Sequence, residues 1–434
     1  MNRTGVLFAL VPSLLAREDP PAPAWIHATP DSIEIAGHAP QPSANAIADA
    51  LERAGPGSVV VLDPGEYPAF TIGFAQDSAA NAATNGGLPG RPIVVEGTGE
   101  VRVVGRDDTI AIDQKRANGH ITFRNLTIVP GTRAGVIFYR QDGARTHAGF
   151  TFEDCHVLGD FDPVTQQGVR SKWGVWGHSL ADFRFAGIRA PARIERIATE
   201  HAFYLQNHCG AITIENVHAR DLGRTFVQIT ARASEGPPGR GDVTLRRCAV
   251  EDTGLAALDD HKGGSAFTFA GRIEGVILVE ECRYRAGFRA ELRGLTSRGS
   301  PYGTGALVAW QGNESAPNDT LILRDVRFEF APGCGDRPVV SIGGCRNVLL
   351  VGENEFVSGG REPALALDPV DSTGRPVSPP NGRVFLAPRT HLGGRLTIAG
   401  KEATPEERAE LERAREKSLP GADSEGMESR EEER

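Results

Sequence analysis

Three heptapeptides decide the fold: His120-Ile121-Thr122-Phe123-Arg124-Asn125-Leu126, Gly149-Phe150-Thr151-Phe152-Glu153-Asp154-Cys155 and Ala211-Ile212-Thr213-Ile214-Glu215-Asn216-Val217. In each, apolar residues alternate with polar ones, a polar pair follows, and a small or apolar residue closes the unit. Alternation of this kind buries one face of a strand and leaves the other in water. Further copies are Asp182 to Ile188, Asp242 to Cys248 and Val276 to Cys282, with later ones beginning at Thr320 and Val348. The starts at 120, 149, 182, 211 and 242 lie 29 to 33 residues apart, and the steps to 276 and 320 are longer, which implies inserted loops. One strand in register every thirty residues or so means stacked coils, each pairing with the next. Asn125, Asp154, Asn216 and Asp325 share one position, where a left-handed residue turns the coil. The residue after it points inward, so Leu126, Cys155, Ile188, Val217, Cys248, Cys282 and Val326 interchange as core.

A second strand precedes each of these. His201-Ala202-Phe203-Tyr204-Leu205-Gln206-Asn207 aligns with Ser265-Ala266-Phe267-Thr268-Phe269-Ala270-Gly271. Trp173 to Gly177, Thr225 to Ile229 and Gly305 to Trp310 are further members. The reading is an all-β chain whose middle, Pro92 to Val351, is a right-handed parallel β-helix. Residues 32–400 form that single domain, residues 1–31 a leader and linker, and residues 401–434 a charged tail, helical over Pro405 to Lys417 or disordered. Before the coils, Arg17 to Gln41 reads as a linker into a strand at Ser32 to Ile35. Ser43 to Ala54 reads as an amphipathic helix capped by Ser43, placed to close the open end of the solenoid.

Composition narrows the function. The chain has 434 residues and a net charge of -9, so it lacks the basic footprint of a nucleic-acid binder. No glycine-rich phosphate loop sits at a strand–helix junction. Arg3 followed by the apolar Thr4 to Ala16 has the length of a secretory leader, which places the protein outside the cell or in its envelope. No run approaches a membrane span. The six cysteines contain no CxxC pair; Cys334 and Cys345 are free to pair in an exported protein.

The capping segment Ile47-Ala48-Asp49-Ala50-Leu51, the run Pro56-Gly57-Ser58-Val59-Val60-Val61-Leu62-Asp63-Pro64-Gly65-Glu66-Tyr67 and the repeated coils resemble the pectin-lyase-like superfamily of right-handed β-helices. Gly86-Gly87-Leu88-Pro89-Gly90-Arg91-Pro92-Ile93-Val94-Val95-Glu96 resembles the entry to the first coil in polysaccharide lyases of the alginate and chondroitin type. The resemblance covers Ile47 to Leu367. It implies a fold shared by lyases, glycoside hydrolases, esterases, adhesins and tailspikes, so it does not select a reaction. The acidic calcium set of pectate lyases is not evident, although calcium is a cofactor that such a site can use. Asp259-Asp260-His261-Lys262 echoes the paired aspartates of polygalacturonases without their downstream Gly-His-Gly.

The register of the second strands collects candidates on one side. They are Lys172, Trp173 and Trp176; Glu200, His201, Tyr204, Gln206 and His208; Arg224, Gln228 and Arg232; and Asp259, Asp260, His261 and Lys262. Alignment places Tyr204 near Gln228 and Thr268, and His201 near Arg224. Elimination from a uronic acid needs a cation on the carboxylate and a base for the C5 proton. His201, Lys262 or Tyr204 fit the base, and Arg224, Arg232 or Lys172 the cation. Hydrolysis needs two acids, for which Asp259, Asp260 and Glu200 are available. Trp173, Trp176, Tyr204 and Trp310 can stack on sugar rings. The plainer readings are that the histidines are structural, that Asp259-Asp260 makes a turn, and that the tryptophans anchor loops. The expectation is an exported protein that cleaves an acidic polysaccharide by β-elimination or hydrolysis. The alternative is a non-catalytic β-helix that binds glycan or builds a surface.

Overall fold

The computed structural model describes residues 25–73, 82–83, 86–113, 119–139, 146–231, 238–255, 264–292, 305–310, 318–334, 337–370 and 373–414. Among them, three long sheets of 14, 11 and 13 strands run the length of the molecule; we call them sheets 1, 2 and 3 in the order the chain visits them. One coil shows the pattern. Ile121–Arg124 lies in sheet 1, Thr127–Val129 in sheet 2 and Ala134–Phe138 in sheet 3. Phe150–Glu153 then returns to sheet 1, parallel to Ile121–Arg124, with Phe123 opposite Phe152. The expected parallel β-helix is therefore observed, with three strands per coil rather than two. The strand missed by sequence is that of sheet 2, whose members are as short as three residues and follow the turn directly.

Inward positions repeat in register. Phe123, Phe152 and Phe185 stack in sheet 1, with ring centroids 5.1 and 5.8 Å apart and planes within 25° of parallel. Parallel pairing at about 4.8 Å between strands leaves room for one flat ring per coil, in contact with the next. At the turn into sheet 2, Asn125, Asp154, Asn216 and Asp325 are left-handed, with φ of 55°, 51°, 52° and 54°; Arg247 and Glu281 adopt the same conformation without an Asn or Asp side chain. The amides of Asn125 and Asn216 each donate across to the coil before, to the carbonyls of Gly97 and Gly187 at 2.7 and 2.8 Å.

The column behind this turn is core. Cys155, Cys248 and Cys282 are buried, and their thiols donate to the carbonyls of Phe123, Ile214 and Leu245 in the preceding coil. Burial pushes the Cys155 thiol up to about 12. Ile188 departs from the expectation: it is 53 % exposed. Residues after Gly187 form a longer turn held by Asp154, whose carboxylate accepts from the amides of Ile188 and Arg189, and the inward position passes to Ala192, opposite Val217. Cys334 and Cys345 are both free thiols.

The ends are closed. Trp25–Thr29, inside the stretch read as linker, pairs antiparallel with Ser32–Ile35 and parallel with Val59–Leu62. Helix α1, Ala46–Arg53, buries Ile47, Ala50 and Leu51 over the first coils. Its cap is Asn45, which accepts from the amide of Ala48, rather than Ser43, whose hydroxyl donates to Asp49. At the other end Lys401–Glu402 adds an antiparallel strand beyond Leu396–Ile398, so ordered structure runs past residue 400. Helix α2, Pro405–Arg413, then starts with a capping box between Thr404 and Glu407 and lies against Arg383–Leu386.

Replacing Phe152 by alanine opens a cavity in the middle of the stack. A loss of about 3–5 kcal/mol is expected, measured as a drop in the urea midpoint, with Phe152→Leu costing clearly less. Equal midpoints for Phe152→Ala and the parent would show that the stack does not hold the coils together.

Candidate functional site

Sheet 3 carries the candidates. Its inward positions include Val175, Phe203, Val227 and Phe267, and alternation sends Trp176, Tyr204, Gln228 and Thr268 outward in one column. The expected neighbourhood of Tyr204 is thus the observed register. Just before this strand, Glu200 gathers two partners. Arg224 Nη1, from the next coil, donates to Glu200 Oε2 at 2.9 Å, and His201 Nε2 lies 3.4 Å from the same oxygen. The His201 ring packs 5.0 Å from that of Tyr204. Two adjacent coils therefore bring a guanidinium, a carboxylate, an imidazole and a phenol together. Their exposure differs: the side chain of His201 is 2 % exposed and that of Arg224 29 %. His201 is in position to orient its neighbours, whereas Arg224 and the partly buried Tyr204 reach solvent.

One coil toward the N-terminus, Trp173 and Trp176 stack at 4.6 Å, and Lys172 Nζ sits 5.9 Å from the Trp173 ring. The Trp176 indole N–H donates to Gln206 Oε1 at 2.9 Å, so Gln206, largely buried, fixes the indole from behind. Both indoles pack on Ala111, Ala134 and Ile137, an apolar patch on an outward sheet face. His208 does not join this group. It is fully buried, its Nε2 faces the Gly241 carbonyl at 3.3 Å, and a side chain at Gly239 would strike its ring. Its expected role in binding substrate is not supported by that enclosure.

Arg232, Asp259, Asp260, His261 and Lys262 lie outside the described residues, as does the Trp310 side chain. The described chain on either side of Asp259 to Lys262 lies against Arg224: the Gly254 amide donates to the Arg224 carbonyl at 3.0 Å, and Gly264 approaches that carbonyl so closely that only glycine fits.

Sequence reasoning missed a second polar group on this face. Arg133 Nε donates to Asp108 Oδ1 at 2.8 Å, its Nη2 bonds both Asp108 Oδ2 and the Tyr139 hydroxyl, and that hydroxyl donates to Asp108 Oδ2 at 2.8 Å. Burial, reinforced by the Asp108 carboxylate, pushes the Tyr139 phenol up to about 12. Asp108 opens the strand Asp108–Ile112, Arg133 and Tyr139 flank Ala134–Phe138 in the next coil, and the signal was available in the register that sets Asp108 opposite Ala134. Among the described residues no group of three or more His, Cys, Asp or Glu side chains is placed to hold a metal ion. Also among the described residues, no helix is long and apolar enough to cross a membrane.

No protein-family model matches the chain, and no curated protein does. Among solved structures, the chain is similar to an alginate lyase from Paenibacillus sp. str. FPU-7, at 12% identity over 73% of this chain and 92% of that one, with a TM-score of 0.41. At that score the likeness carries no weight for activity, and the fold stands on its strand pairing alone.

Two enclosed histidines are expected to make the fold sensitive to acid. Burial lowers His208 and His147 from 6.5 to about 4. A histidine held neutral in the fold contributes its stability above the unfolded value near 6.5. That contribution falls as pH drops from there toward 4, because the unfolded chain takes up the proton first. Each is expected to remove roughly 3 kcal/mol over that window. Urea midpoints at pH 7.5 and 4.5 measure it. His208→Gln should flatten the dependence, and an unaltered slope would exclude His208 as a source.

Proposed function

We propose that the outer face of sheet 3 binds an acidic polysaccharide and cleaves it by β-elimination, with Glu200, His201, Tyr204 and Arg224 as the reacting centre. The observation that carries this reading is the shared Glu200 carboxylate, which holds Arg224 and His201 beside Tyr204 on an outward face. Abstraction of the C5 proton of a uronate builds negative charge on its carboxylate. A fixed guanidinium stabilises that charge without reorganising. Arg224 fills this role, and Glu200 fixes its direction. The Tyr204 phenol, ionised, takes the C5 proton; the electron pair forms the C4–C5 double bond, the C4–O bond breaks, and the phenol returns its proton to the departing oxygen. His201, almost enclosed, is a positioning residue for Tyr204. Lys172, Trp173, Trp176 and Gln228 border the centre and supply a cation, apolar ring faces and a polar contact for neighbouring sugars.

Hydrolysis has less support. It needs two carboxyl groups free to exchange protons. Glu200 is held by Arg224, and Asp108 by Arg133 and Tyr139. A hydrolytic reading therefore rests on Asp259 and Asp260, and the neighbouring His261 and Lys262 are also candidates to act on substrate beside Arg224. Export is part of the proposal, supported by the apolar start from Thr4 to Ala16 and by a polymeric substrate.

A panel of uronate polymers tests it, with the ultraviolet absorbance of the unsaturated product as the readout. Arg224→Ala and Tyr204→Phe are each expected to lower kcat/KM by about a hundredfold or more. His201→Gln should lower kcat less and shift the pH profile. Binding without product formation by the parent protein would assign the face to glycan binding and end the enzymatic reading. Release of saturated ends would replace elimination by hydrolysis.

A further inference from the structure

The outward face of sheet 2 contributes nothing to the centre above, yet it contains a groove of about 380 Å³. Two outward columns supply it: Val129, Leu158, Glu195 and Arg220 from one, and Arg102, Thr127 and Arg193 from the other. An apolar floor of Val129 and Leu158 thus lies beside a cationic wall. Glu195, 6 % exposed in its side chain, accepts from Arg193 Nε at 2.8 Å and from Arg220 Nη2 at 3.1 Å. Both guanidiniums are far more exposed than the carboxylate that anchors them. The groove is lined by four arginines, including Arg102 and Arg196, against three carboxylates. Arg102 also lies 3.6 Å from Glu66 outside the lining, so what the groove offers an anion is the exposed forks of Arg193 and Arg220 rather than a net charge excess. Among the described residues, Arg220 Nε is buried with no acceptor.

We propose that this groove is a second binding site, separate from the sheet 3 face, for a carboxylate-bearing sugar of an acidic polysaccharide. The chemistry is complementary on both sides. One face of a pyranose ring is lined by C–H bonds and fits Val129 and Leu158. A carboxylate matches the planar forks of Arg193 and Arg220, whose positions Glu195 has already set. Because one buried carboxylate shared by two guanidiniums leaves net positive charge, an incoming anion completes the set rather than competing with it. Arg102 and Arg196 extend the cationic border over the adjoining coils. The site does not depend on the sheet 3 reading. It would hold polymer without cutting it.

Calorimetric titration with uronate hexasaccharides, with cellohexaose as the neutral control, tests the proposal on the full chain. Arg102→Ala with Arg196→Ala removes two charges while leaving the Arg193–Glu195–Arg220 set in place. Arg193→Lys with Arg220→Lys keeps the charges on Glu195 but removes the forks. Each double variant is expected to weaken one class of uronate sites by at least about tenfold, while Arg224→Ala leaves that class intact. Binding that disappears with Arg224→Ala alone, or that survives both double variants unchanged, would overturn the groove and leave the sheet 3 reading standing. Loss of binding in the double variants with no effect of Arg224→Ala would do the reverse. Equal binding of cellohexaose would overturn charge-based recognition in the groove.

Discussion

Each coil pairs with the next at about 4.8 Å, and nearly everything else in this molecule follows from that spacing. A single coil cannot bury its own inward face; it is buried only when neighbours present the same kind of side chain at the same position. That is why phenylalanines stack from Phe123 to Phe185 and why thiols recur in the column behind the turn. It is also why both ends need closure, supplied by α1 with the Trp25–Thr29 hairpin and by Lys401–Glu402 with α2.

The same spacing sets what the outside can do. On sheet 1, outward charges alternate in sign along the stack. Arg124 meets Glu153, Arg184 reaches Glu153 and Glu215, and Glu280 takes both Arg246 and Arg324. Exposed pairs of this kind contribute little each, but together they leave that face self-neutralised and unattractive to a polyanion. Sheet 3 is different. Its outward column is aromatic at Trp176 and Tyr204, and its charges collect at the strand entries, around Glu200 and around Asp108. Sheet 2 lies between these extremes, with arginines gathered on one buried glutamate beside an apolar floor. One scaffold thus offers three faces of different chemistry because alternation within a strand decouples the outside from the core.

Burial sorts the histidines. His208 and His147 are enclosed and held neutral beside backbone carbonyls. His201 is equally enclosed, yet it touches the Glu200 carboxylate and packs on Tyr204. What sets His201 apart is its neighbours: Glu200 and Tyr204 come from its own coil, and the adjacent coil adds Arg224 on the same Glu200 carboxylate.

The sequence by itself determined the solenoid. Period, alternation and the Asn or Asp turn positions are local properties of a strand, and repetition made them legible above noise. It also determined that Tyr204, Gln228 and Thr268 form one column, since register follows from counting between repeats. It did not reveal the sheet 2 strands, too short to show a period, nor the turn that carries Ile188 outward, where an insertion shifts the inward role to Ala192. Only the tertiary structure decided which polar residues meet. Arg133 with Asp108, Arg224 with Glu200, and Arg220 with Glu195 are contacts between coils. Register brings such residues into range across about twenty-five positions, but whether they bond depends on rotamers and burial, which no local pattern encodes.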